Sequence, residues 1–221
     1  MKKISLLVIF TVIGFSLFAQ TDNKPAAQPL SENLLALQTA NALARYGYSA
    51  QSASALIGAA EIFAQIRTQP LGVQPERQQS GSTAVETPEF TPANLLADAR
   101  RIAGRDATML AWANEVERSL NTTTRGAVGG PRSARDIIVG RDTHTYSVQL
   151  RGGELTDITL IGSGVSDLDL YLYDANGNYI IGDEGYDDFG LVWIVPPRTG
   201  TYRIVVRNLG NNNNRYDLYI E

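Results

Sequence analysis

Apolar residues recur every three or four positions in the first half of the chain and every second position in the second half, which predicts helices followed by strands. From Ser31 to Tyr46, Leu34, Leu35, Leu37, Ala40, Leu43 and Ala44 form one stripe, with Ser31 as N-cap and Gly47 as the expected stop. A second helix is expected over 52–66, where Leu56, Ala59, Ala60, Phe63 and Ile66 share a face. A third starts at Thr91 with Pro92 in its first position, carries Leu95, Leu96, Ala99 and Ile102, and ends at Gly104. The fourth, capped by Asp106, places Met109, Ala113, Val116 and Leu120 on one side. Together they make two αα-hairpins, and a faint repeat lays "ALIGAAEIFA" (55–64) on "NLLADARRIA" (94–103). That repeat fits either a peptide-binding helical surface or a small self-contained bundle. Between the hairpins, residues 68–90 are rich in Gln, Pro, Ser, Thr and Gly, with too little apolar area to offset ordering entropy; a mobile loop is expected there.

From Arg135 onward the period is two and turn residues return at short intervals, the pattern of an all-β sandwich. Eight strands are expected, over 136–139, 144–150, 155–161, 168–174, 179–182, 191–195, 201–208 and 216–220. In the fourth, Leu168, Leu170 and Leu172 belong to the core, with Asp167, Asp169, Tyr171 and Tyr173 on the other face. The sixth, "LVWIV", is apolar on both faces and is expected centrally or under a covering element. The fold class is therefore α+β in two segregated domains, a helical bundle over 31–125 and a sandwich over 135–221, joined by a Gly-rich hinge at 126–134.

The N-terminus carries an address. Lys2 and Lys3 precede an apolar run from Ile4 to Phe18 followed by Ala19, the pattern of a secretory signal over 1–20. The run is shorter than the ~20 residues a membrane span needs. Residues 21–30 are expected to be mobile, no membrane span is expected after signal removal, and the location is exported, either periplasmic or extracellular at the cell surface.

Composition removes several chemistries. The chain has 0 Cys and 1 His, His144, which excludes disulfide frameworks, thiolate nucleophiles and multi-histidine zinc sites. Residues 21–126 carry 9 Lys+Arg and 10 Asp+Glu, whereas 127–221 carry 8 Arg and 13 Asp+Glu, so the acidity sits in the strand half. Without a basic stripe, nucleic acid is not expected as a partner, and a cation is the favoured small one.

The densest oxygen chemistry lies in "DLDLYLYDANGNY" and the following "GDEGYDD". Asp174 and Asn176 stand at alternate positions of a turn closed by Gly177, and Asp183, Asp187 and Asp188 occupy the next loop; such oxygens suit Ca²⁺. The same residues also serve as hairpin-turn formers without any metal. Eight of the ten tyrosines lie beyond residue 140. Tyr171, Tyr173 and Tyr219 are expected on the polar strand faces beside Arg203 and Arg207, where rings and guanidinium groups make a recognition surface for an extended protein or polysaccharide. Cross-strand pairing of those arginines with Asp167, Asp169 or Asp217 is the simpler account of the same residues, and both can hold together.

"SDLDLYLYDANGNYI", followed by "VPPRTGTYRIVVRNLGNNNNRYDLYIE", resembles the bacterial pre-peptidase C-terminal domain over roughly 135–221. The resemblance implies a jelly-roll-like sandwich of about eight strands, related to the collagen-binding modules of secreted collagenases, some of which use calcium. It also implies a secreted accessory role. No catalytic residues are assigned. His144 shares a strand face with Tyr146, Val148 and Leu150, while Ser147 falls on the opposite face. The expected function is an exported, non-enzymatic binding protein, with a structural or assembly role in the bacterial envelope, the helical bundle docking a partner, as the alternative.

Overall fold

The computed structural model of the protein describes residues 31–79, 81, 84, 88–122 and 129–221, with backbone alone for 121 and 122. The expected signal (1–20), the stretch 21–30 and the start of the hinge, 126–128, lie outside the described residues.

Four helices form where the apolar stripes place them: α1 Glu32–Ser49, α2 Ala53–Gln65, α3 Pro92–Ala103 and α4 Ala107–Thr122. Ser31, Ser52 and Thr91 each accept the backbone N–H three residues on, and Asp106 accepts from Thr108 and Met109. Helix α1 runs through Gly47 instead of stopping there. Leu56 of α2 packs so closely on that glycine that a Cβ would sit 2.8 Å from Leu56 Cγ, so Gly47 serves helix contact and not termination. Leu56, Ile57, Leu95, Leu96 and small alanines fill the bundle.

The linker after α2 contributes two short strands, β1 Gln69–Pro70 and β2 Glu76–Arg77. The C-terminal half adds β3 Arg132–Ile138, β4 Thr143–Leu150, β5 Thr156–Gly162, β6 Leu168–Asp174, β7 Tyr179–Asp183, β8 Phe189–Ile194, β9 Gly200–Asn208 and β10 Asn214–Ile220. These pack as two five-stranded sheets, sheet I in the order β1-β3-β10-β5-β8 and sheet II in the order β2-β4-β9-β6-β7. The eight strands expected beyond residue 135 are present, and the fold class is as the sequence implies.

Three expectations are corrected. The segment from 68 is not a free loop over its described part: it crosses one side of the sandwich, pairing β1 parallel to β3 and β2 antiparallel to β4. Between them Leu71 enters the sandwich core and its N–H bonds Ser133 O at 2.7 Å. One leucine with ladder bonds on both sides orders a segment whose composition alone does not. The last residues of the expected hinge, from Arg132, belong to β3. Of the two positions expected for the apolar strand "LVWIV", central or under a covering element, the central one is not taken: the strand lies at the edge of sheet I, in β8, where Val192 points into the core and Phe189 is covered by α1.

The two outer faces differ. That of sheet I is covered by the helical half: Leu34, Leu37, Phe63 and Ile66 pack on Ile161, Phe189 and Tyr219, and every residue of β5 is buried. Polar ties flank this contact. Arg45 bonds Asp188 and the Gly162 carbonyl, Ser31 and Asn33 donate to the Glu221 carboxylate, and Arg135 joins Asp217 to Glu89. Among the described residues no helix crosses the outer face of sheet II.

Candidate recognition face

Strand alternation builds the uncovered face. In β6 and β9, Leu168, Leu170, Leu172, Tyr202, Ile204 and Val206 fill the core, which turns Asp169, Tyr171, Tyr173, Arg203, Val205 and Arg207 outward. Register then aligns a row across four strands, with Tyr179 opposite Tyr173, Tyr173 opposite Arg203, and Arg203 opposite Ser147. At ~4.8 Å per strand the row is about 14 Å long. The Tyr173 and Tyr179 rings meet edge-on with centroids 5.8 Å apart, and Tyr179 is 59% exposed.

Tyr179 was not legible as a member of this site. Regular pairing from Leu172↔Ile181 would set Ile180 beside Tyr173; a register shift after Leu172 brings Tyr179 there instead.

The five residues expected to bind divide. Tyr173, Arg203 and Arg207 stand on the open face; Arg203 and Arg207 are exposed and have no carboxylate at ion-pair distance among the described residues. Tyr171 is buried instead of displayed. Its ring lies on Gly182, where a Cβ would be 2.7 Å from Tyr171 Cδ1, and beneath the Arg207 guanidinium 4.9 Å from its centroid. Its hydroxyl donates to Asp169 Oδ2 at 2.8 Å, and burial first, then that carboxylate, push its pKa above the ordinary tyrosine value. Tyr219 belongs to the other sheet and is sealed under α1, because the helical half covers the face on which it projects. Asp217 pairs with Arg135 at 2.6 Å, not with the β9 arginines.

The oxygens expected to suit Ca²⁺ are not brought together. Asp174 accepts Asn176 N–H, Asn178 N–H and Asn178 Nδ2–H, and these bonds, the Asn178 side chain foremost, hold its pKa below the ordinary carboxylate value. Asn176 lies exposed in that same turn. Asp183 caps Leu191 N–H at 2.9 Å, and Asp187 caps Phe189 N–H at 3.0 Å. Asp188 is buried and binds Arg45 and Gly164 N–H. Each carboxylate serves its own turn or ion pair, and among the described residues no group of three or more His, Asp or Glu is placed to hold a metal.

Solved structures share parts of this fold at low similarity. The pre-peptidase C-terminal domain of a Bacillus anthracis collagenase is 16% identical with a TM-score of 0.37, over 41% of this chain and 89% of that one. Aeromonas hydrophila PliG, a periplasmic inhibitor of g-type lysozyme, is 17% identical with a TM-score of 0.34, over 44% and 91%. The C-terminal CBM6 module of the laminarinase LamC from Zobellia galactanivorans is 14% identical with a TM-score of 0.27, over 43% and 84%. No curated protein matches the chain. Residues 142–208, from the turn before β4 to the end of β9, match the bacterial pre-peptidase C-terminal domain, the family that the sequence of the sandwich resembles.

Proposed function

We propose that the chain is an exported, non-enzymatic binding protein whose sandwich holds an extended protein or carbohydrate surface against the Tyr179–Tyr173–Arg203 row. The observation that carries this reading is the asymmetry of the sandwich: one outer face is clothed by the chain's own helices, and the other presents two tyrosine rings and two guanidinium groups that have no carboxylate partner among the described residues. Flat amphipathic rings give contact area at small entropic cost, and a guanidinium beside them fixes polar groups of the ligand. In this reading the helical bundle is a support that backs the sandwich. Export rests on residues 1–20; among the described residues no helix is long and apolar enough to cross a membrane.

Retention of the purified chain on immobilised matrix proteins and cell-wall polysaccharides tests the reading. Replacing Tyr173 and Tyr179 together with alanine should weaken retention at least about tenfold, the scale of lost aromatic anchors. Unchanged retention of the double variant on every fraction that holds the parent would refute it.

A further inference from the structure

The strap formed by β1, β2 and the residues around them covers the single histidine. His144 is fully buried, with Nδ1 2.8 Å from Tyr216 Oη, which in turn lies 2.7 Å from Tyr146 Oη. Tyr146 Oη has no other hydrogen-bond partner among the described residues. The direction of this chain is therefore fixed. Tyr146 donates to Tyr216 and Tyr216 to Nδ1, because the reverse order would leave the Tyr146 proton without an acceptor inside the core. His144 is neutral with its proton on Nε2, facing Asp142 Oδ2 at 3.4 Å, too far to satisfy either atom.

The strap closes over this group. Arg77 stands opposite His144 in the β2–β4 ladder and its guanidinium pairs with Asp136 at 2.6 Å. Gln78 N–H bonds Thr143 O at 3.2 Å, Gln79 N–H bonds Asp142 Oδ1 at 2.8 Å, and Gln79 Nε2 bonds Arg141 O at 2.7 Å. A cavity of about 330 Å³ lies between the strap and the sheet, lined by Arg77, Gln79, Val139, Asp142 and His144.

We propose that protonation of His144 releases the strap, making this segment an acid-sensitive latch on the side of the sandwich. Asp142 already faces Nε2–H in the neutral ring, so the second proton arrives at Nδ1, where only the Tyr216 hydroxyl waits. Donation from Nδ1 turns the hydroxyl chain around and strands the Tyr146 proton in the core. The charged and titratable groups around the ring are Asp142 beside it, Asp136 from β3, Arg77 from the strap, and Tyr146 and Tyr216; β9 presents Val206. Burial lowers the His144 pKa, the two aspartates oppose the shift, and Arg77 adds to it. Opening the strap hydrates the imidazolium and takes Arg77 away. It is also the weakest cover, two ladder residues long, whereas β9 and β10 are held along full strands.

A histidine with a depressed pKa when closed and an ordinary one when open takes up a proton on opening. The opening constant thus rises up to tenfold per pH unit below about 6.5, as much as about thirtyfold at pH 5.0. The test uses the full chain, with hydrogen exchange of the Gln78 and Gln79 amides and the single imidazole NMR resonance followed from pH 7.5 to 5.0. Protection of those amides, corrected for intrinsic rate, should fall by about that factor relative to β5 amides, while the imidazole titrates below 6.5. In His144→Phe the protection should be flat with pH. Constant protection in the parent chain, an equal loss in His144→Phe, or an imidazole midpoint above 6.5 would each overturn the proposal. If His144→Phe does not fold, the parent chain decides alone: protection that falls below pH 6.5 together with an imidazole midpoint below 6.5 supports the latch, and constant protection or a midpoint above 6.5 overturns it.

Discussion

Arg45 ties the helical half to the sandwich through both oxygens of one buried carboxylate, and its removal yields a number. Its guanidinium reaches Asp188 Oδ1 and Oδ2 at 3.1 Å and also bonds the Gly162 carbonyl. The Asp188 side chain is 6% exposed and that of Arg45 35%. Gly162 leaves room for this carboxylate, since a Cβ there would lie 2.7 Å from Asp188 Cβ. Arg45→Met keeps the aliphatic stem but leaves a buried carboxylate with the backbone N–H of Gly164 as its remaining donor among the described residues. Stripping one partner from a buried pair costs ~3–5 kcal/mol, and solvent screening of the partly exposed arginine brings the expectation to about 2–3 kcal/mol. For a chain of this size that lowers the melting temperature by roughly 4–12 °C. Calorimetric unfolding of Arg45→Met, Asp188→Asn and the double variant closes a thermodynamic cycle, in which a coupling energy of at least about 1 kcal/mol is expected. Coupling below about 0.3 kcal/mol would refute the view that this pair fastens the two halves.

Four further outcomes follow from burial and bonding. Leu71→Ala should cost about 2–3 kcal/mol in chemical unfolding, because it empties a core position filled by the strap. Tyr171→Ala should cost about 3 kcal/mol, whereas Tyr173→Ala, half-buried at the open face, should cost less than about 1 kcal/mol, and thermal melts separate the two. Burial, and then Glu221, raise the Asp157 pKa above its ordinary 3.8. The ionised carboxylate therefore weakens the fold above its raised value, so Asp157→Asn should be more stable than the parent at pH 7 and lose that advantage below about pH 3.8. Millimolar Ca²⁺ should leave the melting temperature unchanged, since Asp174, Asp183, Asp187 and Asp188 each serve their own protein donors and form no shared group among the described residues; a rise with Ca²⁺ would contradict that arrangement.

Periodicity carried most of the fold. Three- and four-residue spacing located all four helices, and alternation located eight strands, because both patterns are local consequences of which face meets a core. What alternation does not encode is what lies on the far side. Tyr171 and Tyr219 both alternate outward, yet one is folded onto Gly182 and the other is capped by a helix from the opposite half of the chain. The order of strands is likewise non-local, so the strand apolar on both faces, read as central or covered, is the edge strand β8, with Phe189 covered by α1. The acidic loops were legible as turns, through the preference of Asp, Asn and Gly for them, and Asp174, Asp183 and Asp187 bond locally; the partner of Asp188, Arg45, lies more than a hundred residues away.

The same geometry bears on whether the halves can act apart. The sandwich borrows its β1 and β2 strands and the Leu71 side chain from the linker between α2 and α3, and it shelters Ile161, Phe189 and Tyr219 beneath α1. Removing the helical half would uncover that apolar surface on sheet I and strip two edges of their short guarding strands, the conditions under which sheets pair with other chains. Sheet II would lose only the two-residue β2, while the Tyr179–Tyr173–Arg203 row, built entirely on β6, β7 and β9, would stay intact. In the proposed function the helices therefore act on solubility and on the strap, and the open face acts on the ligand. A variant that loosens the helical contact, such as Arg45→Met, should promote self-association without changing the affinity of the row for its polymer, and a parallel fall in that affinity would place the helices within the recognition site itself.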